Sequence, residues 1–273
     1  MERLEDRENA MTQMSASAEG AVDSGKMSRG IGNRDRVRGV FENAPRYFKN
    51  RGVDIRMRID TVWAYASFVS LHRALDIGCG DGTISLQLLN DASRFTLMDL
   101  SSSMVERVKL NIPTGLENNV EVRNEDFATA EFGPHKYDLI VAVGVMAHVD
   151  SPDEFIGKIK ELMAPGGGVV LEFTDAFHFV GWLGRLWGWA KEIIAPAPYA
   201  TNKLSSKDVM RILTRHGLKP ERTFRYSRVP IPGFNVLVSH AQEYNLVRAI
   251  FGSSKKNRNA WMGNEYIYLL RKE

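Results

Sequence analysis

The stretch Ala74-Leu75-Asp76-Ile77 followed by Gly78-Cys79-Gly80-Asp81-Gly82 constrains this chain more than any other. An apolar run suited to a short buried strand leads directly into glycines at alternate positions. The backbone must therefore turn sharply where a Cβ would obstruct it. A helical pattern in Ile84, Leu86, Leu88 and Leu89 follows. Strand, glycine turn and helix in that order is a nucleotide-site signal that many folds share. The common dinucleotide fingerprint needs its last glycine at position 83, where this chain has Thr83, so the spacing here is Gly-x-Gly-x-Gly.

The alternation continues downstream. Phe95 to Asp99 reads as a second strand, Ser103 to Leu110 as a helix, and Val120 to Arg123 as a third strand. Tyr137 to Val143 reads as strand four, Pro152 to Met163 as a helix, and Val169 to Phe173 as strand five. Upstream, a helix is expected from about Met57 to Ser70. After strand five come a helix from Ser206 to His216 that Gly217 stops, strand-like residues 221–229, and a terminal strand from Tyr266 to Leu270. Strands and helices in this order predict an α/β fold, a doubly wound, mostly parallel sheet with helices on both faces. Such sheets bind ligands at the carboxyl ends of their strands.

Three strand ends then supply parts of one site. Asp99 ends strand two, 17 residues beyond Gly82, where a carboxylate can accept hydrogen bonds from both hydroxyls of a ribose. Asp126 and Phe127 follow strand three, an acceptor for an adenine amino group beside an apolar ring that can pack on the base. The bland alternatives are a solvated strand-end carboxylate for Asp99, a turn or helix cap for Asp126, and plain core for Met104. Cys79 sits within the turn as a small buried residue, with no base placed to activate it.

The stretches Leu75 to Gly82, Met98 to Met104, Asn124 to Phe127, Tyr137 to Val149 and Leu162 to Gly168 together resemble the class I S-adenosylmethionine-dependent methyltransferases of the small-molecule type, over roughly residues 70–175. The resemblance implies a Rossmann-like methyltransferase fold of seven strands, with a helical N-terminal cap and an insertion after strand five. It implies S-adenosyl-L-methionine as cofactor, with Gly78 and Gly80 flanking its methionine part, joined by Cys79, Leu100 and Met104 around the turn. Asp99 would hold the ribose, Asp126 with Phe127 would meet the adenine, and backbone near Val143 would meet the amino group, which Asp76 would help bind directly or through water. Tyr47 falls where the resembling family often caps the pocket.

Composition narrows the class further. At 273 residues with 44% hydrophobic content, the chain suits one globular domain. Its single cysteine excludes an internal disulfide and fits a reducing compartment, so a cytoplasmic location is expected. The acidic opening Met1 to Asp6 is neither a secretory signal nor an Arg-rich transit peptide, and no apolar run reaches the roughly 18 residues of a membrane span. A formal charge of +3 is too small to imply nucleic-acid binding, and none is expected. Residues 1–33 read as a disordered arm and 34–273 as the methyltransferase domain, with cap helices over 34–70 and acceptor-side insertions over 176–205 and 230–264.

A methyl group on a sulfonium is already activated, so the protein must chiefly hold an acceptor in line and exclude water. His148, just after strand four, is placed as a general base for a hydroxyl acceptor, or alternatively as a packing or hinge residue. His178 and His240 lie in the more variable region. No Asn-Pro-Pro-aromatic motif follows strand four, no Pro-Cys pair is present, and no Asp stands there to bind magnesium. These absences disfavour nucleic-acid and catechol-type acceptors and leave a small-molecule or lipid-like one, with no metal expected. The aromatic segment 177–197 reads as an apolar lid, with core packing or a membrane-surface helix as alternatives. The basic residues from Arg34 to Arg58 read as a solvated face, or as an attraction for phosphate or anionic headgroups. A non-catalytic cofactor-binding protein and a nicotinamide-dependent oxidoreductase are the rival functions. Oligomeric state is not legible from these residues.

Overall fold

The computed structural model describes residues 52–180, 201–229 and 238–273, together with Gly39. The first helix, α1, spans Gly52–Ala66. β1 (Arg73–Ile77) enters the glycine turn and a short 3-10 turn at Ser85–Leu88, and then come β2 (Arg94–Met98) and α2 (Ser102–Asn111). β3 (Val120–Arg123), β4 (Tyr137–Ala142), α3 (Pro152–Leu162) and β5 (Met163–Thr174) complete the alternating part. The remainder contains α4 (Ser206–Arg215), β6 (Leu218–Tyr226) and α5 (His240–Phe251). A small hairpin of β7 (Gly252–Ser253) with β8 (Lys256–Asn257) and a final strand β9 (Glu265–Lys272) follow.

The main sheet has seven strands in the order β3-β2-β1-β4-β5-β9-β6. β1 to β5 pair in parallel, whereas β9 runs antiparallel between β5 and β6. The order reverses at β1 and β4, which opens a crevice at the carboxyl edge between the loops that follow them. This is the doubly wound fold that the alternation predicts.

Period-two alternation divides the core between the two faces of the sheet. On one face Leu97, Leu139, Val170 and Leu269 pack with Val53, Met57 and Tyr65 of α1 and with Val247 and Phe251 of α5. On the other, Leu75, Ile140, Leu171 and Leu270 pack with Phe155, Ile156 and Ile159 of α3 and with Val209 and Leu213 of α4. Asp76 and Glu172 belong by alternation to the α1 face, which places carboxylates within an apolar layer.

Serine starts four of these helices. Ser101, Ser151, Ser205 and Ser239 each accept a backbone N–H from the first turn, and Ser205 with Asp208 and Ser239 with Gln242 form reciprocal capping boxes. Gly217 ends the α4 segment with φ of 63°, as expected of a left-handed cap.

Several boundaries differ from the sequence expectation. The helix expected at 57–70 begins at Gly52 and ends at Ala66. The helical pattern from Ile84 to Leu89 yields only the 3-10 turn, because the chain is extended at Leu89 and enters a turn at Asn90 closed by Ser93, leaving no room for further turns. The strand expected at 221–229 lies at 218–226, three residues earlier. The arm at 1–33, Tyr47 and most of the aromatic segment lie outside the described residues, as do all the basic residues from Arg34 to Arg51.

Candidate functional site

Gly78, Gly80 and Gly82 have φ of 70°, 57° and 79°, the left-handed region that glycine adopts without steric cost. The N–H groups of Gly78 and Cys79 both donate to the Met98 carbonyl, at 2.8 and 3.0 Å, which ties the turn to the end of β2. A Cβ on Gly78 would lie 2.6 Å from Val145 Cγ2, so the turn and the loop after β4 meet at this point.

Asp99 is the clasp of the site. Its Oδ2 accepts the Gly80 N–H and its Oδ1 accepts the Ser101 N–H, both at 2.9 Å, joining the glycine turn to the start of α2. A carboxylate offers about four lone-pair positions, so this structural duty is compatible with receiving a diol.

Asp76 lies behind the turn and is only 2% exposed. Ser85 Oγ donates to its Oδ2 at 2.6 Å, while Oδ1 is buried with no hydrogen-bond partner. Burial pushes this carboxyl up to about 7, against the lowering effect of the Ser85 bond and with the nearby Asp99 charge adding to the rise. Cys79 is also buried, and burial and then the Asp76, Asp99 and Asp81 charges push its thiol well up, which makes it a poor nucleophile.

A cavity of about 250 Å³ opens at this edge of the sheet. Of the expected cofactor residues, Gly78, Gly80, Asp99, Leu100, Met104, Asp126, Phe127 and Val143 line it, and so does His148. Asp76 and Cys79 do not; they form the layer beneath. Asp126 Oδ1 accepts the Ala128 N–H at 2.9 Å, which turns the chain after β3, and Phe127 meets Phe155 of α3 edge-on at 5.2 Å. His148 lies in a loop pinned from elsewhere in the chain. Asn202 Nδ2 donates to the carbonyls of Met146 and Val149, at 3.2 and 2.5 Å, and the Asn202 N–H donates to Ala147 O at 2.8 Å.

Sequence reasoning missed Asn202 and Lys158. Lys158, on α3, lines the cavity and donates to three carbonyls of the loop that carries Phe127. No local pattern marks either residue, because each acts on a segment dozens of positions away.

The neighbouring half of the same edge is ionic. Arg58 Nε lies 2.9 Å from Glu172 Oε1 and 2.7 Å from Oε2, with both side chains buried, and Tyr226 OH approaches Oε1 at 3.5 Å. Arg228 bonds Glu243 at 3.1 and 3.0 Å and lies 3.9 Å from Asp54. Thr174 Oγ1 donates to Glu265 Oε2 at 2.8 Å, and burial, followed by the Glu172 charge, pushes the Glu265 carboxyl above the usual carboxylate range. The Arg58 guanidinium lies 3.2 Å from where a Gly144 Cβ would stand, which sets this network against the cavity wall. Arg58 is therefore no part of a solvated basic face, and Arg56 lies over the Tyr244 ring at 4.4 Å.

His178 and His240 do not line the cavity. His178 Nε2 lies 2.9 Å from Trp261 O, and His240 sits against Gly52. Phe177, Phe179 and Trp261 are exposed, with Phe179 stacked on Trp261 at 5.8 Å. Among the described residues no helix is long and apolar enough to cross a membrane.

Residues 75–169 match a family model described as a methyltransferase domain. The ubiquinone biosynthesis O-methyltransferase of Bordetella avium is 24% identical over 209 residues, covering 72% of this chain and 76% of that protein. Its namesake from Vibrio cholerae is 28% identical over 114 residues, covering 41% of this chain and 46% of the relative. The chain spans about half the length of that relative and of others it matches. Among solved structures, the magnesium protoporphyrin IX methyltransferase of Synechocystis PCC 6803, with bound S-adenosylhomocysteine, superposes with a TM-score of 0.55 at 21% identity. That match covers 73% of this chain and 95% of the other. The fold is that of the class I methyltransferases, and the matched residues carry the whole glycine turn, Asp99, Asp126 and His148.

Proposed function

We propose that this chain, whose residues 75–169 are a methyltransferase domain of the class I fold, transfers the methyl group of S-adenosyl-L-methionine to a small acceptor. The observation that carries the reading is the single cavity uniting Gly78, Gly80, Asp99, Asp126, Phe127 and Val143 at the carboxyl edge. The residues fit the cofactor by chemistry as well as by place. In the cavity wall the clasp at Asp99 suits a diol and Asp126 with Phe127 suits an adenine, while in the layer beneath the buried, unpartnered Oδ1 of Asp76 suits a cationic amino group, directly or through water.

When bound, the cofactor supplies a methyl group already activated on a sulfonium. The chain's own work is to orient the acceptor and exclude water. The loop 144–149, held by Asn202, brings His148 into the cavity wall, within the region an acceptor would approach. We assign His148 as the base that takes the proton of a hydroxyl acceptor, which makes oxygen the target atom. The relatives named O-methyltransferases favour the same atom. The apolar Phe177, Phe179 and Trp261 beside the carboxyl edge favour a hydrophobic or lipid-linked acceptor.

Titration with S-adenosylhomocysteine and with NAD tests the donor. Tight binding of the first and none of the second is expected, and the reverse would make the chain an oxidoreductase. Transfer of radiolabelled methyl to a lysate fractionated into lipid, small-molecule, protein and nucleic-acid pools tests the acceptor. Label in the lipid or small-molecule pool is expected. Binding of S-adenosylhomocysteine without turnover on any pool would make the protein a non-catalytic binder.

A further inference from the structure

One cation holds residues 127–130 of the loop after β3, while Arg123 holds Glu131 O and covers the Phe132 ring further along. Lys158 Nζ donates to the carbonyls of Phe127 at 2.6 Å, Ala128 at 3.1 Å and Ala130 at 2.7 Å. An ammonium group has three N–H donors, so all of them serve this one loop. The same nitrogen lies 5.1 Å from the Phe127 ring centre and 5.4 Å from that of Phe132, close enough for cation–π attraction to both. Phe155, three positions earlier on α3, meets the Phe127 ring edge-on. One helix thus fixes both the backbone and the ring of Phe127, and Lys158 itself lines the cavity.

From this geometry we propose that Lys158 is a positioning residue for recognition of the cofactor's base. It holds residues 126–130 so that Asp126 and Phe127 are in place before the cofactor arrives. A loop that is already ordered does not lose its freedom on binding, so affinity and base selectivity both gain. Without the cation the three carbonyls turn to water, and the loop samples conformations in which Asp126 no longer faces the 6-amino group. Arginine cannot replace it, because a planar guanidinium does not place three donors about one point. The inference rests on the proposed use of S-adenosylmethionine.

The test is calorimetric titration of the full chain with S-adenosylhomocysteine and with S-inosylhomocysteine, in which the 6-amino group is replaced by a 6-oxo group. The wild-type chain should prefer the adenine compound. Lys158→Met should bind it about tenfold more weakly or worse and should lose most of the preference. Lys158→Cys, treated with 2-bromoethylamine, regains an ammonium on a side chain of the same atom count, with sulfur in place of the γ-methylene, as the thiolate displaces bromide and the thiol proton goes to buffer. The only other thiol, Cys79, is buried. The treated variant should recover both affinity and preference, which a general loss of packing would not predict. A preference that survives in Lys158→Met, or fails to return on aminoethylation, overturns the positioning role. Failure of the wild-type chain to bind S-adenosylhomocysteine at all would sink the underlying reading, and this inference with it.

Discussion

The two halves of the carboxyl edge are built from different materials. On the β3-β2-β1-β4 side the cavity is organised through backbone, with left-handed glycines, N–H groups clasped by Asp99, and carbonyls held by Lys158. On the β5-β9-β6 side, behind the Gly144 wall, the structure is held by side chains, the buried pair Arg58 and Glu172 with Tyr226, Glu265 and the Arg228–Glu243 pair beyond. Backbone devices arrange fixed dipoles around a ligand whose shape does not vary. The network of long side chains instead ties α1, β5, β6 and α5 to one another, so its loss should fall on stability.

The largest test of this contrast is at the ionic half. Removing one partner of a buried pair leaves the other charge uncompensated, so Arg58→Met should cost about 3–5 kcal/mol in urea unfolding. Adding Glu172→Leu should return most of that loss, since an apolar pair removes the stranded charge. A cost below about 1 kcal/mol would mean that water already reaches Glu172, contrary to its 2% exposure.

At the backbone half the loss should fall on binding instead. Asp99→Asn keeps the shape but turns one acceptor oxygen into a donor facing an N–H group of Gly80 or Ser101. Affinity for S-adenosylhomocysteine should drop about 100-fold in calorimetry, with less effect on unfolding than Arg58→Met has. Unchanged affinity would remove Asp99 from the ribose site.

This division explains what could be read in the sequence. The glycine turn, Asp99 and Asp126 stand at consecutive strand ends, so local periodicity places them, and eight of the ten expected cofactor residues line the cavity. The ionic half draws on residues far apart in the chain, with Arg58 and Glu172 separated by 114 positions. Nothing near Arg58 distinguishes a buried partner from another member of a basic stretch. Asn202 and Lys158 escaped for the same reason, and so did the early start of α1. The short 3-10 turn after Gly82 was missed because apolar spacing records which residues face inward, not how many turns fit before Asn90.

A smaller effect separates two glycines of one turn. Gly80→Ala meets no atom within 4 Å, so it carries only the left-handed backbone penalty of roughly 1–2 kcal/mol. Gly78→Ala adds the approach to Val145 and should cost roughly 1–3 kcal/mol beyond that. Val145→Ala should relieve the excess at Gly78 and do nothing at Gly80. Equal costs for the two alanines in thermal or urea unfolding would mean that the β1 and β4 loops do not bear on each other.

The smallest change in binding is set by pH, through Asp76. Its carboxyl stands near 7 in the folded chain, against about 3.9 in an unfolded one. A raised folded value means that its contribution to stability is full below about pH 3.9 and is lost as pH rises through about 7. The ligand-free chain should therefore lose stability between pH 4 and 7 relative to Asp76→Asn, whose amide does not titrate. Binding should run the opposite way. An amino cation close to Oδ1 favours the ionised carboxylate, so affinity for S-adenosylhomocysteine should rise about tenfold from pH 6 to pH 8 and then level off. Proton release on binding, read from calorimetry in buffers of different ionisation heat, should be largest near pH 6 and absent in Asp76→Asn. If affinity is flat with pH while Asp76→Asn still weakens binding, the carboxyl acts only by holding Ser85 and the turn, and the amino group is met by backbone alone.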